Sequence, residues 1–172
     1  MAAAFRPAGI DDAPRLAELG RRSFVETFGH LYTPENLAAF LANHDASRWR
    51  EDLADPDHAI ILAEEDGEAA GYAQLGPVTL VTPPERLPAI ELRRLYLLKP
   101  WHGTGLAAAM MDWAVAEARR RQARDLYLSV FIDNHRARRF YDRYGFVEIG
   151  TYDFMVGDHA DTDLIMRLRL EE

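Results

Sequence analysis

The groups best spaced for chemistry are the glycines of Lys99-Pro100-Trp101-His102-Gly103-Thr104-Gly105-Leu106-Ala107-Ala108, set between an apolar run and a helical stretch. Glycines leave the backbone open to close approach, and the following helix presents its first N–H groups unpaired. Those donors and the helix dipole favour an anion such as a pyrophosphate. A plain strand-to-helix turn would use the same residues. The stretch is not a Walker A loop, since no Gly-Lys-Ser/Thr follows at the required spacing. Gly103, Gly105 and Ala108 do satisfy G-x-G-x-x-A, the fingerprint of an NAD-binding oxidoreductase, and Asp133 follows the next strand. Against that reading stand the extra residues Lys99 to His102 and a chain too short to build a second mononucleotide-binding half.

Other chemistries find less support. The chain has no cysteine, so a disulfide, a thiolate zinc site and a thiol nucleophile are excluded. His30, His44, His58, His102, His135 and His159 form neither H-x-H nor H-E-x-x-H, and no metal is expected. No G-x-S-x-G elbow supports a serine nucleophile. Asp158, His159, Asp161 and Asp163 read either as a polar hairpin turn or as a negative rim for a cationic ligand.

A single domain over residues 1–172 must position these groups; this length buries roughly 70% of the unfolded surface. Lys plus Arg number 20 against 28 Asp plus Glu, a net charge of −8 that argues against nucleic-acid or anionic-membrane partners and suits a cationic small molecule. No apolar run is long enough to cross a bilayer and Met1 to Phe5 carry no basic region, so a cytoplasmic location is expected.

The pattern predicts a strand at Ala3 to Arg6 and a helix from Asp11 or Asp12 with Leu16, Leu19 and Phe24 or Val25 on one face. After Glu26 to Tyr32 a second helix starts at Thr33-Pro34, and Ser47 can cap a third. Ala59 to Ala63 and Ala70 to Leu75 form a hairpin, with Val78 to Val81 as an extension of its second strand, and Thr82-Pro83-Pro84 marks a loop. Ile90 to Leu98 is a long strand into the glycine turn. A helix from Leu106, a strand at Leu126 to Val130 and a helix from Asp133 or Asn134 to Gly145 follow, then two closing strands around Gly157 to Asp161. The order gives a mixed α/β sheet of about seven strands with four or more helices and a parallel crossover.

Two segments carry a family resemblance. His102-Gly103-Thr104-Gly105-Leu106-Ala107 resembles the Gln/Arg-x-x-Gly-x-Gly/Ala signature of the GNAT superfamily of N-acetyltransferases, with His in place of Gln or Arg. Asn134 to Phe146 matches that superfamily's N-x-x-A-x-x-F-Y-x-x-x-G-F pattern without a gap. Glu26-Thr27-Phe28-Gly29, Thr33 to Leu37 and Gly157 to Asp163 are similar to the spermidine/spermine acetyltransferase branch.

The resemblance implies a single-domain GNAT fold with a splayed central strand pair, acetyl-CoA as cosubstrate, and direct acetyl transfer to a primary amine of a polyamine-like small molecule or of a protein. A non-catalytic acyl-CoA sensor is the alternative, and a homodimer is an assembly it allows. Leu95, Tyr96 and Leu97 would pair their backbone with the pantetheine arm, and Leu97 would offer an oxyanion donor at a strand bulge. His102, Gly103, Thr104, Gly105, Leu106, Ala107 and Ala108 would form the phosphate loop, and Asn134 would hold the pantetheine. Tyr141 would protonate the leaving thiolate, for which an unperturbed phenol near pH 10 suffices. Glu91 would take a proton from the amine, directly or through water; as a plain strand residue it would balance Arg93 or Arg94. Glu26, Phe28 and Tyr32 would face the acceptor, or serve as packed connector.

Overall fold

Alternating and apolar runs become seven strands in one mixed sheet, described by a computed structural model over residues 3–81 and 83–170; Thr82 of the expected loop lies outside the described residues. The elements run β1 (Ala4–Pro7), α1 (Ala13–Phe28), α2 (Pro34–Leu41), α3 (Ala46–Ala54), β2 (Ala59–Glu65), β3 (Glu68–Gly76), β4 (Ala89–Leu97), α4 (Leu106–Arg120), β5 (Asp125–Phe131), α5 (His135–Tyr144), β6 (Val147–Val156) and β7 (His159–Arg169). The spatial order is β1-β2-β3-β4-β5-β7-β6, antiparallel except where β4 and β5 run parallel across the α4 crossover. Among the described residues no helix is long and apolar enough to cross a membrane.

Each face of the sheet has its own core. Leu92, Leu126, Leu128, Leu164 and Met166 pack under Met111 and Ala114 of α4. On the opposite face Ile60, Leu62 and Tyr72 pack against Leu16 and Leu19 of α1 and Trp49 of α3. Residues alternate between these faces along each strand, so the face under α1 to α3 also receives Glu91, Ser129 and Asp163.

The central feature is a break between β4 and β5. Their ladder covers only Ala89, Ile90 and Glu91 against Asp125, Leu126 and Tyr127. Beyond it the strands separate. The β3–β4 register shows where β4 bends: Gln74 faces Arg94 and Leu75 faces Leu92, which leaves Arg93 without a partner. An extra residue of this kind bends a strand and breaks its pairing on the other side. The bulge therefore lies at Arg93, four positions before Leu97, where the sequence reading had located it.

Three local expectations are corrected. The third helix is capped by Asp45, which accepts from the Arg48 N–H at 3.1 Å, one residue pair ahead of Ser47. Val78 to Val81 does not extend the second strand, because β3 ends at Gly76 and the chain turns away after Pro77. The closing hairpin is tighter than Gly157 to Asp161, since Val156 already faces His159 and only Gly157-Asp158 turn. Asp161 and Asp163 are consequently strand residues, each less than a tenth exposed.

Candidate active site

The separated strands open a cleft of about 650 Å³. Its floor on one side is the glycine turn. Gly103 and Gly105 have φ of 76° and 86°, and a Cβ at either would meet no atom within 4 Å, so left-handed backbone rather than crowding requires glycine at both. Gly105 is the N-cap of α4 and has no side chain to fill the cap. The first intrahelical bond is from Ala109 N to Gly105 O at 3.1 Å, which leaves the N–H groups of Leu106, Ala107 and Ala108 directed out of the helix end. The Leu106 side chain points away into the core beside Met110, and the Thr104 hydroxyl turns back to Trp101 O at 2.6 Å.

His102 holds this turn to β4. Its Nε2 lies 2.9 Å from Leu97 O and its Nδ1 2.7 Å from an Arg136 nitrogen. A guanidinium only donates, so Nδ1 accepts and the ring is the neutral tautomer with its proton on Nε2, donated to Leu97 O. The positive charge that His lacks relative to Arg is thus brought to the turn by Arg136, at the start of α5. Lys99 and Arg143 also border the cleft.

β4 offers its backbone selectively. Leu98 N bonds to Ala70 O at 2.9 Å, so in the alternating ladder Leu98, Tyr96 and Arg94 spend their backbone groups on β3. Leu95 and Leu97 turn theirs to the open side. Tyr96, expected to pair its backbone with a ligand, contributes its ring to the opposite face instead.

α5 supplies Asn134 and Tyr141. Asn134 caps the helix, its side-chain oxygen accepting from Ala137 N at 3.3 Å, which leaves its amide nitrogen available to the cleft. Tyr141 lies over Phe140 and Phe146, and its hydroxyl has no hydrogen-bond partner among the described residues. Burial pushes this phenol up to about 12, above the unperturbed value expected, so it stays protonated at neutral pH.

Aromatic and acidic groups close the far end. Phe24 stacks on Tyr32 with centroids 5.9 Å apart, and Phe28 meets Phe131 edge-on at 6.2 Å. The Tyr32 hydroxyl donates to Asp161, whose other oxygen lies 3.0 Å from His159 Nε2. Burial, then the Asp161 carboxylate, hold the Tyr32 phenol well above its usual value. Glu26 accepts from the Lys99 N–H at 3.2 Å and so joins α1 to the segment before the glycine turn.

Glu91 stands apart from this cleft, in an adjoining cavity of about 400 Å³ under α1 and α3. It is 6% exposed, and its Oε1 accepts from both the N–H and the hydroxyl of Thr79, at 2.8 and 3.0 Å. The two cavities share Phe24, Arg93, Arg94, Tyr96, Ser129 and Phe154, and meet at the strand break. Thirteen of the residues named from sequence for the site line the larger cleft; Glu91, Thr104 and Leu106 do not. The sequence assigns no site role to Arg136, Ser129 or Tyr152, and reads Asp163 only as part of a hairpin turn or a negative rim, not as a buried strand residue. The last was legible in principle, because Asp161-Thr162-Asp163-Leu164-Ile165 alternates as one strand with both carboxylates on one side.

Residues 17–146 match the sequence model of the Acetyltransferase (GNAT) family. An uncharacterized N-acetyltransferase of Mycobacterium tuberculosis is 39% identical over 158 residues, 91% of this chain and 97% of the relative. Among solved structures, PaiA N-acetyltransferase from Thermoplasma acidophilum in complex with coenzyme A superposes with a TM-score of 0.77 at 20% identity, covering 98% of this chain and 99% of that one. The ribosomal-protein-S18-alanine N-acetyltransferase of Escherichia coli gives 0.73 at 16% identity over 99% and 96%. At these identities the two structures speak for the fold alone.

Proposed function

The chain belongs to the acetyltransferase (GNAT) family, and from that premise we propose that it transfers the acetyl group of acetyl-CoA directly to a primary amine of a small, polyamine-like cation. The observation that carries the reading is the break beside β4, where a cleft floored by free backbone donors meets a compartment of aromatic rings and carboxylates.

The residues present fit the donor. The N–H groups of Leu106 to Ala108 and the Arg136 guanidinium would bind its pyrophosphate, and Leu95, Leu97 and the Asn134 amide its pantetheine arm. When bound, acetyl-CoA supplies an activated acyl group. A backbone N–H of Leu95 or Leu97 would receive the charge that gathers on the acyl oxygen. The protonated Tyr141 hydroxyl would give its proton to the sulfur as the C–S bond breaks.

An aliphatic chain with cationic ends suits the other compartment. Phe28, Tyr32 and Phe131 offer ring faces and edges, and Glu26 and Asp161 offer negative charge. On reaching the strand break, the ammonium must lose a proton before its nitrogen can attack. Glu91 is our candidate to receive a proton from that nitrogen, through the carboxylate oxygen that Thr79 does not occupy.

The test is release of CoA from acetyl-CoA by the purified protein across a panel of amines: 1,4-diaminobutane, spermidine, amino acids and peptides with a free N-terminus. Aliphatic polyamines should turn over fastest. Glu91→Gln should lower kcat/KM by roughly ten- to hundredfold for the best amine without changing acetyl-CoA affinity. Turnover confined to peptides would replace the polyamine assignment with a protein acceptor.

A further inference from the structure

An alkylammonium has three N–H bonds and the amide made from it has one, so two protons leave the nitrogen in each turnover. Glu91 accounts for one of them. This inference rests on the acetyl-transfer reading and concerns the other proton.

The second carboxylate comes from β7. Asp163 lies opposite Phe131 of β5 on one side and Tyr152 of β6 on the other, on the face that borders the cleft. It is 7% exposed. Its neighbour Asp161 has both oxygens engaged, one by Tyr32 and one by His159. Among the described residues the partner of Asp163 is the Tyr152 phenol, which also lies 3.1 Å from Ser129 Oγ. Ser129 in turn borders both cavities, so Asp163 and Glu91 flank the strand break from opposite strands.

We propose that Asp163 takes the first proton from the substrate ammonium, and that Glu91 takes the second as the new N–C bond forms. In the first step an N–H bond breaks, its electron pair stays on nitrogen, and the proton goes to the Asp163 carboxylate. That lone pair then forms the bond to the acyl carbon. The thiolate leaves with the Tyr141 proton, and solvent later restores Tyr141 and collects the protons from the two carboxylates.

The surroundings favour this role. Burial, then the nearby Asp161 charge, raise the Asp163 carboxyl to about 7, against a weak lowering by Tyr152. An aspartate at its ordinary value near 4 would be a poor acceptor for an alkylammonium near 10, and a base serves best when matched to the working pH. The other titratable and charged groups lining the two cavities include Glu91, Arg93, Arg94 and Tyr96 on β4, Tyr141, Arg136 and Arg143 on α5, Glu26, Tyr32 and His44 from the α1 to α2 side, Arg48 and Asp52 on α3, and Lys99 and His102 before the glycine turn. Tyr96 and Tyr152 are held above their usual values by burial and stay neutral, so they do not compete as bases.

The experiment is the pH dependence of kcat with acetyl-CoA and saturating 1,4-diaminobutane, for the unaltered protein, Asp163→Asn and Asp163→Glu. The unaltered protein should lose about tenfold in kcat per pH unit below about 7. Asp163→Asn should fall at least about a hundredfold at neutral pH and lose that limb, with CoA affinity by calorimetry within about twofold. Asp163→Glu should recover activity and regain a limb with a moved midpoint. An Asp163→Asn enzyme that keeps both rate and limb overturns the assignment and leaves acetyl transfer standing. An unaltered protein that acetylates no amine overturns both. If Asp163→Asn does not fold, infrared titration of the unaltered protein decides: a carboxylic acid C=O band should grow between pH 8 and 6, and none before pH 5 overturns the proposal.

Discussion

On the glycine-turn side of β4 the cleft-facing groups are mostly main chain: the N–H groups at the start of α4, and those of Leu95 and Leu97. On the other side they are side chains, Glu91, Ser129, Tyr152, Asp161 and Asp163, drawn from four strands and held by Thr79, Tyr32 and His159. A main-chain site tolerates substitution of most of its side chains, because its donors persist whatever residue carries them. A side-chain site changes its chemistry with each replacement. The first should therefore bind one fixed donor, and the second should set rate and acceptor choice.

Tyr141→Phe is the sharpest way to separate the two. The phenol reaches the junction from the glycine-turn side, yet its proposed work is chemical. Removing one hydroxyl should lower kcat by about 10²- to 10³-fold while acetyl-CoA affinity stays within about twofold. A variant with unchanged kcat would remove the proton donor from the scheme and make Tyr141 an aromatic packed between Phe140 and Phe146.

The converse change is Gly105→Ala. The residue sits at φ 86° with open space around it, so the variant meets no clash but strains the backbone by about 1–2 kcal/mol. Relaxing that strain redirects the N–H groups of the first turn of α4. Acetyl-CoA affinity should drop roughly tenfold, with kcat at saturation within about twofold. Unchanged affinity would reduce the glycine turn to a connector and dissolve the contrast between the two sides.

The same contrast explains what could be read from the chain. Main-chain sites depend on local geometry, and local geometry leaves residue-level marks: glycine at two left-handed positions, Asn134 as an N-cap, Gly145 at φ 94° as the stop of α5. The Thr33-Pro34 helix start is legible for the same reason, with Thr33 accepting from Asn36 N. The side-chain compartment is assembled from residues far apart in sequence. The Arg93 bulge exists only in the register between β3 and β4, and the depth of Asp161 and Asp163 follows from a turn two residues long. Aspartates near a glycine read as a solvated turn, because their burial is decided by Tyr32 of a distant segment closing over them.

The last expected effect is on stability, and it tests whether the carboxylate side is held under tension by its own chemistry. An aspartate in the unfolded chain titrates near 3.9, whereas Asp163 in the fold is raised to about 7. Between those values the folded protein binds more protons than the unfolded one, so stability falls as pH rises through that window and levels off above it. Asp163→Asn cannot ionise and lacks this loss. Its melting temperature should differ little from that of the unaltered protein near pH 4 and exceed it at pH 8, the gap opening through that window. A gap of the same size at both pH values would mean that Asp163 is not strained by its burial. A gap that opens only towards pH 8 would mean that the fold gives up stability at neutral pH to keep a base where the acceptor nitrogen arrives.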